Sequence, residues 1–147
     1  MILAAQLYTV REFMKTPEDI RASLIKIRDI GYTSVQVSGV GPIEPKELKA
    51  ITDDLGLSIC ATHIPYNRFK QDLKNVIEEH QLYECPYVGI GSMPVEFRNE
   101  EGFYRFAKEF DEIGKELKKN GLQFVYHNHR FEFEKFSGKT GLDILVD

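Results

Sequence analysis

Two histidines, His127 and His129, directly follow the apolar run Phe124, Val125, Tyr126 and precede Arg130, Glu132 and Glu134. Imidazoles beside carboxylates can ligate a metal, shuttle a proton or bind hydroxyl groups. The apolar run has the character of a buried strand, and strand ends are where α/β sheets carry their sites. Side chains alternate along a strand, so His127 and His129 are expected on one face and Asn128 on the other. In a plainer reading one histidine bonds a backbone carbonyl and the other is solvated. Glu132 likewise has a plain alternative to acid–base work, a solvated ion pair beside Arg130 and Lys135.

The elements that must position these residues alternate in type. Residues 2–7 form an apolar run, then Thr16, Pro17, Glu18 and Asp19 give a cap, a first-turn proline and first-turn acids. Ile20, Leu24 and Ile27 share one helical face, and Gly31 is the left-handed stop. The next cycle has a strand at 34–37, a loop to Pro42 and a helix from Pro45 with Leu48, Ile51 and Leu55 inward. A third strand at 57–61 ends in Thr62 and His63, and its helix carries Leu73, Val76 and Ile77 and must stop before Pro86. A fourth strand spans 87–90. A long helix from about Asn99 turns Phe103, Phe106, Phe110, Ile113 and Leu117 to one side, a fifth strand runs over 122–126, and residues 130–138 read as loop. Residues 141–145 open a further helix. Near-continuous apolar strands between amphipathic helices predict a parallel sheet covered by helices, in a single domain over 1–147.

In such a sheet the strand ends share a rim, and the polar residues collect there. Gln6 and Tyr8, Gln36 and Ser38, Thr62 and His63, Ser92, and His127 with His129 end successive strands. Alone, His63 or Gln36 would read as a satisfied buried group, but five coincident polar ends point to a ligand site. Gln6, Tyr8, Gln36, His63 and His129 are the candidate substrate-binding residues.

Composition narrows the ligand. The chain has 147 residues, 42% of them hydrophobic and 29% charged, which suits a folded domain. With 19 basic against 23 acidic residues it has no electrostatic footprint for a nucleic acid. The start, Met1 to Ala5, lacks a charged leader or long apolar segment, so neither signal peptide nor membrane span is expected and the location is read as cytoplasmic. Cys60 and Cys85 lack CxxC spacing and read as buried free thiols.

Three strand-end motifs carry a resemblance. Gln6-Leu7-Tyr8-Thr9-Val10-Arg11, Val35-Gln36-Val37-Ser38-Gly39 and Ala61-Thr62-His63 resemble the first three strand motifs of the sugar phosphate isomerase/epimerase family, the xylose isomerase-like TIM barrels of the AP endonuclease family 2 superfamily. Tyr126-His127-Asn128-His129-Arg130-Phe131-Glu132-Phe133-Glu134, followed by Gly141-Leu142-Asp143-Ile144-Leu145, is the most specific match. The resemblance implies a (β/α)₈ barrel, a divalent metal (manganese, zinc, magnesium or cobalt) and proton transfer next to a sugar carbonyl. Many relatives end the fifth strand in Glu-Asn-His, the glutamate being a metal ligand; here His127 stands in that slot, and imidazole is itself a good ligand for zinc, manganese or cobalt. Gln36 replaces a second-strand glutamate. By the resemblance His127 ligates the metal or transfers the proton, His63 bonds a substrate hydroxyl, and Glu132 or Glu134 acts as base or orients an imidazole.

A complete barrel needs roughly 250 residues and eight strands. Five strands and the first turn of another helix make a partial barrel, without the sixth to eighth strands from which the family draws an aspartate, a histidine and a glutamate ligand. The metal belongs to the complete barrel, and this chain by itself need hold none. Its open sheet edges predict a homo-oligomer. The function expected is a sugar or sugar-phosphate isomerase or epimerase acting on a small sugar or polyol by metal-assisted proton transfer. The alternatives are an inactive barrel serving as a binding or assembly module, or a dehydratase of the same superfamily. A DNA-repair endonuclease is disfavoured by the acidic charge.

Overall fold

The structure, a computed structural model, describes residues 3–147. Five parallel strands, β1 (Ala4–Gln6), β2 (Ser34–Val37), β3 (Ser58–His63), β4 (Tyr87–Ile90) and β5 (Gln123–Tyr126), lie side by side in sequence order. Between them run α1 (Pro17–Ile30), α2 (Pro45–Asp54), α3 (Tyr66–Gln71) with α4 (Leu73–Leu82), and α5 (Glu100–Lys119). Sequential βα units with short loops give this order, because each crossover packs its helix back on the same side of the sheet. The wall of a (β/α)₈ barrel, in part, is thus the architecture.

The helices begin and stop where their caps dictate. Thr16 Oγ1 accepts from Asp19 N–H at 3.2 Å, Asn99 Oδ1 accepts from Gly102 N–H at 2.9 Å, and Gly31 ends α1 at φ 111°. The inward residues are the expected ones. Ile20, Leu24, Ile27, Leu48, Ile51 and Leu55 pack with Val35 and Ile59, and the α5 phenylalanines pack with Val88 and Ile90. Phe106 and Phe110 stack at 4.2 Å, and Phe110 lies 4.7 Å from Phe124 of β5. The opposite sheet face is left to Gln6, Gln36, His63, Gly89 and Val125.

Several boundaries differ from expectation. The first strand was expected over 2–7; Ile2 lies outside the described residues, and Leu7 opens a 3₁₀ segment, Leu7–Phe13, kinked at Val10. The third strand runs to His63 because Thr62 and His63 pair with Val88 and Gly89. The fifth begins at Gln123, since Leu122 N–H still bonds Leu117 O at the end of α5. Residues 66–71 form the separate helix α3, broken from α4 by the non-helical Asp72 (φ −142°). The expected loop at 130–138 holds a 3₁₀ turn, Phe131–Phe133, and a hairpin strand β6 (Lys135–Phe136), which pairs with β7 (Lys139–Thr140) before α6 (Gly141–Val146). Cys85 is buried, Cys60 is only half-buried, and both are free.

One irregularity matters for the site. The β2/β3 register runs Val35 to Ile59 and then Gln36 to Ala61, so Cys60 is an extra residue on β3. Ile59 faces the helix-side core and so does Thr62, which bonds His80 of α4. An uninterrupted strand would put residues three apart on opposite faces. The bulge therefore turns His63 to the open side.

Candidate functional site

His63 reaches the rim one strand away from Ser38 and Gln36, and both hold it. Gln36 Nε2 donates to His63 Nε2 at 2.7 Å, which leaves the ring proton on Nδ1, 3.0 Å from Ser38 Oγ. The ring is a neutral imidazole with both nitrogens engaged. Burial lowers its pKa, and the neighbouring His127 and His129 lower it further.

From β5 the His127 ring meets His63 edge-on, with centroids 5.1 Å apart at 74°. His129 follows at 5.0 Å from His127. His127 and His129 thus lie on one side, as alternation requires, and both are exposed. Phe131 stacks on His129 at 5.6 Å and 10°, and Arg98 lies over the Phe131 ring at 3.9 Å. The Arg98 guanidinium is itself fixed by Met93 O and Ser92 Oγ, so the loops after β4 and β5 are tied together.

Glu132 is placed differently from the solvated ion pair with Arg130 and Lys135. It is 0% exposed, and it folds back under the loop. Oε1 accepts from the Tyr126 hydroxyl at 2.6 Å and Oε2 from the His129 N–H at 2.7 Å. Such a carboxylate fixes the turn carrying His127 and His129; neither oxygen is free for a substrate. Burial first, then Glu132, drives the Tyr126 pKa upward, so its proton stays on and donates.

Gln6 is the β1 neighbour of Gln36 in the ladder, and Tyr8, half-exposed, lies in the 3₁₀ segment beyond it. The Tyr8 ring is pressed against Gly39 of the β2 exit and covered by Arg11 at 4.2 Å. The rim thus brings together Gln6, Gln36, His63, His127 and His129, with Tyr8 at its edge. Ser38, one of the polar strand ends, proves a direct partner of His63, while Tyr126, Arg98, Gly89 on β4 and Gly91 just after it are further residues of the site that the sequence reading leaves out. Glycine inside a strand is the one signal that could have marked Gly89.

As metal ligands these residues are incomplete. His63 and Glu132 have their donor atoms committed, and no three histidine, cysteine or acidic residues among the described residues are arranged to hold an ion. His127 and His129 remain, two ligands where a zinc-type site takes at least three from protein. No helix among the described residues is long and apolar enough to cross a membrane.

Neither a protein-family model nor a curated protein matches the sequence. Solved structures do. A sugar phosphate isomerase/epimerase from Parabacteroides distasonis superposes with a TM-score of 0.82 at 22% identity, over 98% of this chain and 60% of its own. A second sugar phosphate isomerase/epimerase from that organism gives 0.78 at 20%, over 98% and 64%. A xylose isomerase-like TIM barrel protein from Mycobacterium smegmatis, in complex with magnesium, gives 0.63 at 13%, over 85% and 54%. The fold is therefore that of the xylose isomerase-like TIM barrels, and the chain spans about 60% of the length of the sugar phosphate isomerase/epimerases it resembles.

Proposed function

We propose, from the xylose isomerase-like fold and its rim, that the protein serves sugar or sugar-phosphate isomerisation or epimerisation, with His127 moving the proton at the carbon next to the carbonyl. The observation that carries the reading is the convergence of His63, His127 and His129 at the carboxyl ends of β3 and β5. His127 is the exposed member of the His63–His127 pair, and so it can reach a bound substrate, whereas His63 is tied on both nitrogens. Hydroxyls of a bound polyol would meet the amides of Gln6 and Gln36, the Tyr8 hydroxyl and His129. Glu132 serves His127 indirectly, by holding the turn.

A divalent ion, when bound, would polarise the carbonyl. With His127 kept for the proton, His129 could supply one of its ligands, and the rest would have to come from outside these five strands. That shortage favours a second reading, a module that binds a sugar without turning it over. Incubation in D₂O with aldoses, ketoses and their phosphates, with and without Mn²⁺, Zn²⁺, Mg²⁺ or Co²⁺, distinguishes them. Deuterium appearing next to the carbonyl is the expected result. Sugar binding without any exchange would leave the module reading.

A further inference from the structure

β3 and β5 are separated by β4, so their backbones lie roughly 9.5 Å apart, two strand spacings, yet the His63 and His127 rings meet at 5.1 Å. The space between is free because β4 has no side chain there. A Cβ on Gly91 would lie 3.0 Å from His63 Nδ1, 3.3 Å from Cγ and 3.4 Å from Cβ, its three nearest atoms. A Cβ on Gly89 would lie 3.1 Å from His63 Cδ2, 3.1 Å from Val125 Cγ2 and 2.5 Å from Thr62 O. Neither glycine has positive φ, so the backbone itself does not demand glycine at these positions. At Gly89 the Thr62 carbonyl is the first obstacle, with His63 and Val125 next, whereas at Gly91 the three nearest atoms all belong to the His63 side chain.

We propose that Gly89 and Gly91 form a floor that lets His63 cross β4 and butt against His127, making His63, with Gln36 and Ser38 behind it, the positioning residue for the His127 ring. A side chain at Gly91, just past β4, would push the His63 ring away, and with it the contact that restrains His127. Because Gln36 and Ser38 hold both His63 nitrogens, the ring cannot turn aside freely, and the displacement passes to His127. The proposal rests on the proposed role of His127 only for its consequence in catalysis; the geometry can be tested apart from it.

The test is NMR of the ring signals in the 147-residue chain, with Gly91→Ala made in the native background and in a His63→Ala background. Expected first is a cross-relaxation peak between the His63 and His127 rings in the unaltered protein, with the His63 proton on Nδ1. Gly91→Ala should weaken that peak by at least twofold and shift the His127 ring resonances, and it should leave those resonances unmoved when His63 is already alanine. Gly114→Ala, on α5 with only Phe124 Cβ near at 3.8 Å, is the control and should move neither ring. Equal His127 shifts in both backgrounds would overturn the proposal, as would the absence of the ring–ring peak, which needs no variant to fold. Failure of the deuterium exchange with these NMR results intact would remove the proposed reaction and leave the positioning.

Discussion

Thr62 donates its hydroxyl proton to Nε2 of His80 across 2.6 Å, inside the core between β3 and α4. His80 Nδ1–H in turn donates to Val76 O at 2.6 Å, so both nitrogens of the neutral imidazole are satisfied. Burial lowers its pKa, and His63 is lowered for the same first reason. In the unfolded chain both take a proton near the ordinary value of about 6.5; in the folded chain they resist it. The stability they contribute is therefore present above pH 6.5 and is lost as pH falls below it. Urea midpoints measured from pH 8 to pH 5 should decline through that window, and His80→Gln should flatten part of the decline. A midpoint indifferent to pH there would contradict the placement of both rings.

Glu132→Gln replaces one acceptor oxygen with a donor that faces either the Tyr126 hydroxyl or the His129 N–H. One buried donor then lacks its partner, at a cost of about 1–3 kcal/mol. Chemical denaturation of the variant should show that loss, and a surface ion pair would have shown almost none.

His127→Ala removes an exposed ring from the rim and nothing from the core. Turnover in the sugar exchange assay should fall by a factor on the order of a hundred, with melting temperature and circular dichroism close to the parent. Unchanged turnover takes His127 out of the mechanism.

Phe106 is buried and touches Phe97, Phe110, Tyr66 and Tyr126. Phe106→Ala should cost about 3–5 kcal/mol by the cavity it leaves, visible as a lowered denaturation midpoint.

Beside β5 an apolar groove of about 300 Å³ lies between α5 and α6, lined by Phe106, Phe110, Phe124, Tyr126, Leu142 and Leu145 among others. β1 and β5 are the edges of the sheet, and the 147-residue chain is expected to associate with itself there. Light scattering at rising concentration checks this, and a mass that stays monomeric argues against it.

Much of this architecture is local and could be read from the residues. Thr16, Pro17 and Gly31 mark α1, the Phe103-to-Leu117 stripe marks α5, and apolar runs between amphipathic helices call for a parallel sheet covered by helices. His127 and His129 stand after an apolar strand, and so their place on the rim follows from position. What the tertiary structure alone decided depends on partners distant in the chain. The extra Cys60 in β3 is a matter of pairing with β2, and without it Thr62 and His63 would exchange faces. Glu132 looks like any loop acid until Tyr126 and His129 supply two donors and the burial that removes it from solvent. Gly89 reads as a weak strand residue and Gly91 as the loop that follows it until the His63 ring is seen to lie against both. A sequence records which groups are present; which of them find each other across strands is fixed by register and by the volume each side chain leaves free.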